Sequence, residues 1–234
     1  MQYEVVAEIF SRIARYYDVM NHLFSLNRDC YWRRCAAART GLRAGDRVLD
    51  VCCGTGMFSL ELAKLTGKEG RVTGLDFSRE MLAVAKGKME RHPLGKTVFL
   101  QPGDAMRMEF ADGSFPVVVS AFGLRNLPDI ENGLREMVRV LESGGRLVIL
   151  ELGKPQGRFW ESLYRFYLEV MLPRLGNAAA GSGSPYCWLP ESLRRFPTPE
   201  VFCRMMTETG LENVERQMLT GGIANVFWGN KRVG

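Results

Sequence analysis

The feature that most constrains the fold is a glycine turn after a short apolar run, Arg47-Val-Leu-Asp-Val-Cys-Cys-Gly-Thr-Gly-Met57. The apolar run is typical of a buried strand, and Phe58-Ser-Leu-Glu-Leu-Ala-Lys64 after the turn is typical of a helix. A second apolar run, Arg71-Val-Thr-Gly-Leu-Asp76, follows about one helix length later and also ends in an acid. This arrangement predicts a nucleoside-type cofactor site at the carboxyl edge of a parallel sheet.

Alternating strand and helix patterns continue after the glycine turn. Such alternation predicts an α/β fold, with a mostly parallel sheet, right-handed crossovers and helices on both faces. Gly221-Gly222 joins the last two strand patterns, so we expect a hairpin that makes the last strand antiparallel. The predicted strands are 47–53, 71–77, 97–102, 116–122, 146–152, 213–219 and 223–231. The predicted helices are 5–17, 28–39, 57–65, 79–91, 130–141, 157–176 and 199–209, with a turn or short helix at 16–25 and an irregular segment at 185–197.

Length and composition favour one cytoplasmic domain. The 234 residues are 46% hydrophobic and 24% charged, which is ordinary for a soluble globule. We expect residues 1–46 to be a helical N-terminal cover, and residues 153–200 to be a substrate-side insertion with a lid at 177–184. The sequence shows no apolar run of about 20 residues and no signal peptide, so we predict a cytoplasmic protein, at most peripheral on the inner face of the membrane. With two histidines and no Cys-x-x-Cys pair, no metal site is predicted.

The acids at the ends of the predicted strands indicate which cofactor fits. A nicotinamide site favours Gly-x-Gly-x-x-Gly, whereas the third position here is Ser59. Asp50, just before the turn, would repel a pyrophosphate but attract the ammonium and sulfonium groups of S-adenosyl-L-methionine. Asp76 can accept hydrogen bonds from both ribose hydroxyls, and Asp104 from the adenine amino group, with the Ala105 N–H donating to the ring. The alternative is that each acid only caps a helix or a turn.

This pattern resembles the class I S-adenosylmethionine-dependent methyltransferases. The resemblance implies a Rossmann-like sheet of seven strands, of which the last is antiparallel. It also implies that Asp50, Gly54, Thr55 and Gly56 hold the methionine end, Asp76 the ribose, and Asp104 with Ala105 the adenine.

Six short motifs occur in order along nearly the whole chain. They are Tyr17-Asp-x-x-Asn21, Phe122-Gly-Leu-Arg-Asn126, Arg139-Val-Leu-x-x-Gly-Gly145, Leu150-Glu-x-x-Lys-Pro155, Leu189-Pro-Glu-Ser-Leu-x-x-Phe-Pro197 and Thr220-Gly-Gly-Ile223. Together they resemble the quinone-biosynthesis C-methyltransferase family, which comprises the demethylmenaquinone methyltransferases and the polyprenyl benzoquinol methylases. Two positions depart from the family pattern: Met57 replaces the usual Asp, and Ala121 replaces a frequent Ser.

The resemblance implies methylation of a ring carbon of a polyprenyl quinol, in menaquinone or ubiquinone biosynthesis. Removal of a quinol hydroxyl proton moves electron density onto the adjacent ring carbon, which attacks the sulfonium methyl group. The enzyme must therefore align the reactants and accept a proton. We predict that Arg125 stabilises the developing oxyanion. Asn126, Tyr17, Asp18 or His22 would position or remove the proton, and Phe122, Tyr164, Tyr167 and Tyr186 would bind the ring.

Several alternatives stay open. Arg125 can instead clamp Asp129 or the cofactor carboxylate, and Tyr17 with Asp18 can simply close the N-terminal segment over the cofactor. The acceptor can be another small molecule or RNA, or the chain can be a non-catalytic cofactor-binding scaffold. The net charge of +5 is modest and the sequence lacks an aromatic-plus-basic strand pattern, so no nucleic acid partner is expected. We expect transient membrane contact through residues 159–175 and the lid, and leave a homodimer open.

Overall fold

A computed structural model describes residues 10–153, 155 and 188–233. Its strands are β1 Arg47–Val51, β2 Arg71–Asp76, β3 Val98–Pro102, β4 Phe115–Ala121, β5 Leu141–Leu152, β6 Leu211–Leu219 and β7 Ala224–Lys231. They form one seven-stranded sheet in the order β3-β2-β1-β4-β5-β7-β6. β7 runs antiparallel to both of its neighbours, whereas the other pairs are parallel. The predicted α/β sheet with an antiparallel last strand is confirmed.

Helices connect and cover these strands. They are α1 Tyr17–Ser25, α2 Arg28–Arg39, α3 Met57–Thr66, α4 Arg79–Met89, α5 Ile130–Val140, α6 Trp188–Arg195 and α7 Pro199–Glu208. Residues 10–13 are also helical. Three of the helices begin at a side-chain cap, in which Ser78, Asp129 or Thr198 accepts a hydrogen bond from the backbone N–H three residues later. Each cap satisfies a donor that the first helical turn leaves without a partner, so these residues fix where the helices start.

The core lies on both faces of the sheet because strand side chains alternate between them. On β4, Val117 and Val119 face a cluster that includes Trp32 of α2 and Leu62 of α3. Val118 between them faces the opposite cluster, which includes Met137 of α5 and Phe202 of α7. The central strands are therefore covered on both sides, and the candidate site must lie at an edge of the sheet.

Two predictions of secondary structure were wrong: one helix was missed, and one strand begins earlier than expected. Residues 188–195 form a helix, although we expected an irregular segment: Pro190 is tolerated in the first turn, Leu193 is buried, and Glu191 pairs with Arg195 at 2.9 Å one turn later. β5 begins at Leu141 and not at residue 146, because Leu141 already pairs with Phe115.

Other predictions fall partly or wholly outside the described residues. Of the predicted helix 5–17, the structure describes a helix at 10–13 followed by a turn. The predicted helix 157–176, the membrane contact at 159–175 and the lid at 177–184 lie outside the described ranges. No helix within those ranges is both long enough and apolar enough to cross a bilayer.

Candidate functional site

The site is built where β1 and β4 end side by side, at the point where the strand order reverses. Directly after these strands, Cys52 and Phe122 adopt left-handed backbone conformations, with φ values of 59° and 61°. Such values are uncommon for residues other than glycine and are often stored at functional sites. Gly54 and Gly56 also have positive φ, so the turn requires glycine there. The resulting sharp turns open two clefts at the carboxyl edge of the sheet.

We name the first of these the glycine-turn cleft. It spans about 320 Å³, part of which is open to solvent. Its polar side chains include Asp50 near the end of β1, Thr55 in the turn and Arg33 from α2. Met57, the first departure from the family pattern, lines this cleft as well. The cleft therefore presents an acid, a hydroxyl and a guanidinium group in one small volume.

We name the second the aromatic cleft. It spans about 530 Å³, part of which is open to solvent. Four of its lining residues are aromatic, namely Phe10, Tyr17, Phe77 and Phe122, and its polar side chains include Asp76 and Asn126. The two clefts share Tyr17, Cys52, Gly54 and Ala121, so they meet along a common wall.

Asp50 is the acid of the site whose pKa departs most clearly from its usual value. Its side chain is fully buried, and Oδ2 accepts a hydrogen bond of 2.5 Å from the Ser59 hydroxyl. Oδ1 has no hydrogen-bond partner among the described residues. Burial, together with the nearby charge of Asp76, raises the pKa of Asp50 to about 7 although the Ser59 bond opposes the shift. A cationic ligand in the glycine-turn cleft would satisfy the orphaned oxygen and favour the charged carboxylate.

Asp76 links the glycine turn to the start of α4. Its carboxylate accepts hydrogen bonds from the Gly54 N–H at 2.8 Å and from the Ser78 N–H at 2.9 Å. Burial raises its pKa, although these backbone donors favour the charged form. Gly56 completes the contact with α4, since a Cβ there would lie 2.4 Å from the terminal methyl of Met89. Asp76 therefore caps the turn and the start of α4, as the alternative prediction stated. It also lines the aromatic cleft.

Asp104 and Ala105 lie beyond the end of β3. The Asp104 carboxylate accepts a hydrogen bond of 2.9 Å from the Met106 N–H, a local turn of the kind expected from the capping alternative. Ala105 is buried. Neither residue lines the two clefts described above, so their predicted contact with adenine stays a prediction.

Asp18 ties the N-terminal helix to the glycine turn. Its carboxylate accepts a 2.6 Å hydrogen bond from the Thr55 hydroxyl and forms an ion pair with Lys88 of α4. Lys88 also donates to the Thr55 carbonyl at 3.1 Å. Burial lowers the pKa of Lys88, an effect that the Asp18 carboxylate opposes. This geometry favours the alternative in which the Tyr17-Asp18 segment closes over the cofactor.

Arg125 lies in a buried ion pair at the end of β5. Its guanidinium donates to Glu151 Oε2 at 2.8 Å and to the Phe122 carbonyl at 2.6 Å. The Arg125 backbone N–H donates to the other Glu151 oxygen at 3.2 Å. The clamping partner is thus Glu151, whereas Asp129 caps α5. Because the pair fixes the carbonyl of strained Phe122, Arg125 and Glu151 hold the Phe122-Asn126 segment against the aromatic cleft.

The other predicted catalytic residues occupy different positions. Tyr17 lines both clefts and packs edge-on against Phe10, with ring centroids 5.9 Å apart. Asn126 lines the aromatic cleft and donates to the Phe122 carbonyl at 3.2 Å. His22 lies in neither cleft, and its Nδ1 is 2.9 Å from Asp29 Oδ1.

Arg33 is a site residue that the sequence did not reveal. It is buried, its guanidinium lies 5.4 Å from the centroid of the Phe122 ring, and it pairs with Asp29 at 2.5 Å. Burial opposes charge on Asp29, but hydrogen bonds from His22 and Arg33 hold its pKa below the usual value. Polar atoms of His22, Asp29 and Cys30 lie within 4.8 Å of one another. Since these Asp29 oxygens already accept hydrogen bonds from His22 and Arg33, the group serves to orient Arg33.

The cysteines at the turn are not activated nucleophiles. Burial and the nearby Asp76 carboxylate raise the pKa values of Cys52 and Cys53 well above the usual thiol value. Both residues are therefore uncharged at neutral pH, and their part in the site is to form its wall.

Comparison with known structures places the fold. A SAM-dependent methyltransferase from Aquifex aeolicus superposes with a TM-score of 0.66 over 91% of this chain and 97% of its own, at 20% identity. The [4+2]-cyclase SpnF gives 0.68 over 88% and 82%, also at 20% identity. At this identity the likeness concerns the fold alone.

Comparison of sequences is more specific. Residues 1–231 match the model of the ubiE/COQ5 methyltransferase family. Demethylmenaquinone methyltransferases from Alkalihalophilus pseudofirmus and Geobacillus kaustophilus are each 40% identical to this chain. The alignments cover 97% of this chain and 96% of the first relative, and 98% and 97% for the second.

Fold, site and sequence thus define an S-adenosylmethionine-dependent methyltransferase. The buried acid with an orphaned oxygen in the glycine-turn cleft fits the ammonium group of that cofactor. Within this class, the chain belongs to the ubiE/COQ5 methyltransferase family.

Proposed function

We propose that this protein methylates a ring carbon of a polyprenyl quinol, with demethylmenaquinol as the acceptor. The relatives that are 40% identical over almost the full length are demethylmenaquinone methyltransferases, which supports this acceptor. The observation in the structure that carries the proposal is the position of Phe122 and Asn126. Both line the aromatic cleft, which shares a wall with the glycine-turn cleft.

The cofactor would lie across both clefts. Its ammonium group would meet Asp50, and its carboxylate would meet Arg33 in the glycine-turn cleft. Its ribose would meet Asp76 in the aromatic cleft. When bound there, the cofactor supplies an electrophilic methyl group on a sulfonium. The predicted adenine contacts with Asp104 and Ala105 remain part of this proposal.

The acceptor ring would occupy the part of the aromatic cleft near Phe122. A flat aromatic ring is suited to stacking or edge contacts with this side chain and with Tyr17. Leu127 and Met81 in the same wall are apolar and would help to exclude water from the reacting carbon. Loss of a hydroxyl proton from the quinol makes the adjacent ring carbon nucleophilic. This carbon would take the methyl group as the carbon–sulfur bond breaks, which leaves a neutral thioether. The ring carbon would then lose its proton and the oxygen would regain one, so that one proton is released overall.

The predicted catalytic residues would divide into two roles. Tyr17 and Asn126 line the clefts and would hold the quinol hydroxyl and its departing proton. Asp18 would act as a positioning residue, because Thr55 and Lys88 engage its carboxylate. Arg125 would act in the same way, because its charge is balanced by buried Glu151 and it holds the Phe122 carbonyl.

The enzyme would meet its acceptor at the membrane surface. A prenylated acceptor resides in a bilayer, so we expect transient contact with the membrane from the cytoplasmic side. The N-terminal residues 1–46 and the segment 153–200 would form the cover over the substrate, within a single domain.

The decisive experiment is methyl transfer from labelled S-adenosylmethionine to a panel of reduced acceptors. The panel comprises demethylmenaquinol, a demethylated polyprenyl benzoquinol, a simple phenol and bulk RNA. We expect label on the ring carbon of demethylmenaquinol, located by mass spectrometry, and little on phenol or RNA. Preference for the benzoquinol would move the acceptor to the other branch of the family. Transfer to RNA alone, or cofactor binding without transfer to any acceptor, would refute the proposal.

A further inference from the structure

We propose that the exposed face of α1 is a docking surface for an anionic phospholipid bilayer. This inference rests on the proposed polyprenyl acceptor, and it places the membrane contact on a helix that also forms part of the site. It differs from the segment 159–175 that the sequence favoured for membrane contact.

The first observation is an exposed apolar stripe. Tyr16, Val19, Leu23 and Leu26 are 68%, 66%, 59% and 82% exposed. Tyr16, Val19 and Leu23 follow one another at spacings of three and four residues, which places them on one side of the helix. Leu26 adds a further exposed apolar side chain at the C-cap of the helix, where the backbone is left-handed. Single exposed apolar residues are normal, but an aligned series of this kind marks a contact surface.

The second observation is the opposite side of the same helix. Met20 is buried, Tyr17 lines both clefts, and Asp18 binds the glycine turn through Thr55. The helix therefore has one side on the reaction site and the other side toward solvent. A bilayer seated on the apolar stripe would lie one helix width from the aromatic cleft, so a prenyl tail could remain in lipid while its ring occupies the cleft.

The third observation is the charge around the stripe. Residues 10–34 contain five arginines and two aspartates. Arg33 is buried, and the other four arginines are exposed. Both aspartates are paired inside the protein, Asp18 with Lys88 and Asp29 with Arg33. Arg15 precedes the stripe directly, Arg28 follows it by two residues, and both are exposed. The surface thus combines apolar side chains with flanking positive charge, which selects anionic lipid over a neutral surface.

The test measures sedimentation of the full-length protein with vesicles of phosphatidylcholine, with and without phosphatidylglycerol. We expect binding to the anionic vesicles that weakens as salt rises. Leu23→Ser/Leu26→Ser should weaken this binding by about tenfold or more, because two leucines no longer enter the lipid. Arg15→Gln/Arg28→Gln should weaken binding to anionic vesicles by a similar factor and should also reduce its salt dependence.

A matched control is Val201→Ser/Val233→Ser, which removes two apolar side chains that are 42% and 75% exposed elsewhere on the surface. It should bind vesicles like the unmodified protein. Urea unfolding of all variants would show that they remain folded. Unchanged vesicle binding by the leucine variant would overturn the inference. Loss of a dimer in light scattering by that variant, with vesicle binding intact, would assign the stripe to a second copy and would also overturn it.

Methyl transfer to a short-tailed, water-soluble demethylmenaquinol analogue separates this inference from the proposed function. The leucine variant should methylate the soluble analogue at the unmodified rate, but should be slower on long-tailed quinol in vesicles. If the unmodified protein is inactive on both acceptors, the proposed function fails. If it is active on both and the leucine variant binds vesicles normally, only the docking surface fails.

Discussion

Replacing the buried acid of the glycine turn, Asp50→Asn, tests whether the glycine-turn cleft is built for a cation. Burial raises the pKa of this carboxyl from 3.8 to about 7. A shift of about 3 units at about 1.4 kcal/mol per unit corresponds to roughly 4 kcal/mol of native-state destabilisation when the group is charged. The penalty is absent below the unfolded pKa, because both states are then protonated. It grows as pH rises from about 4 to 7, where the folded state holds more protons than the unfolded state, and is complete above pH 7.

The asparagine side chain has nearly the same shape as the aspartate but no titrating proton. The free energy of unfolding, measured by urea titration, should therefore be larger for Asp50→Asn than for the unmodified protein. This difference should grow by about 2.5 kcal/mol between pH 5 and pH 8. Asp112→Asn removes an acid whose side chain is 80% exposed and serves as the control, with a smaller pH-dependent difference. If Asp50→Asn and the unmodified protein show parallel pH dependences, the argument from the buried, orphaned carboxyl is wrong.

Although Asp50→Asn should raise the stability of the protein, it should weaken the binding of the cofactor. At pH 6 most of the Asp50 population is protonated, so binding of a cationic ligand should release about one proton, visible by calorimetry in buffers of different ionisation enthalpy. Asp50→Asn should bind S-adenosylmethionine at least about tenfold more weakly, without that release. Equal affinity of the two proteins would remove Asp50 from the cofactor site.

Three further substitutions probe the remaining contacts. Asp76→Ala should raise the cofactor dissociation constant at least about tenfold by calorimetry, since it removes both the ribose acceptor and the bonds to the turn; an unchanged constant would contradict the ribose assignment. Arg125→Ala should lower kcat while cofactor affinity is largely kept. It should also lower the free energy of unfolding by about 3 kcal/mol in urea titration, because it leaves Glu151 buried without its partner. A large loss of cofactor affinity instead would place Arg125 on the cofactor. Lys88→Met should raise KM for the cofactor more than it changes kcat, because Asp18 loses its partner across the turn; a loss confined to kcat would give Lys88 a role in the chemistry.

The sheet could be predicted from the sequence because its signals are local. Apolar runs, turn glycines and the caps Ser78 and Thr198 lie within a few residues of the structure that they produce. α6 was missed because the segment 185–197 contains three prolines and several aromatic residues, as loops often do. The pair between Glu191 and Arg195 that supports the helix is a weak signal in so short a segment. Boundaries such as the start of β5 depend on strand pairing, which a linear pattern does not contain.

The site could be predicted only in part. Asp50 and Asp76, which line the two clefts, could be singled out because each lies at or next to the end of a strand beside the turn. The contacts that join Asp18 to Lys88 and Arg125 to Glu151 span 70 and 26 residues, so no periodicity reveals them. One signal was available: Glu151 is a charged residue within an apolar strand, where an acid is expected to have a partner.

The link between Asp18 and Thr55 has a thermodynamic consequence. It joins α1, which carries the exposed apolar stripe, to the turn that would hold the cofactor. Binding free energies at two linked places are reciprocal. If an occupied turn fixes α1 in place and strengthens its hold on lipid, then the lipid surface must strengthen cofactor binding by the same factor. The enzyme would then bind the cofactor most tightly at the lipid surface where its acceptor resides. Release of the product would weaken both contacts together.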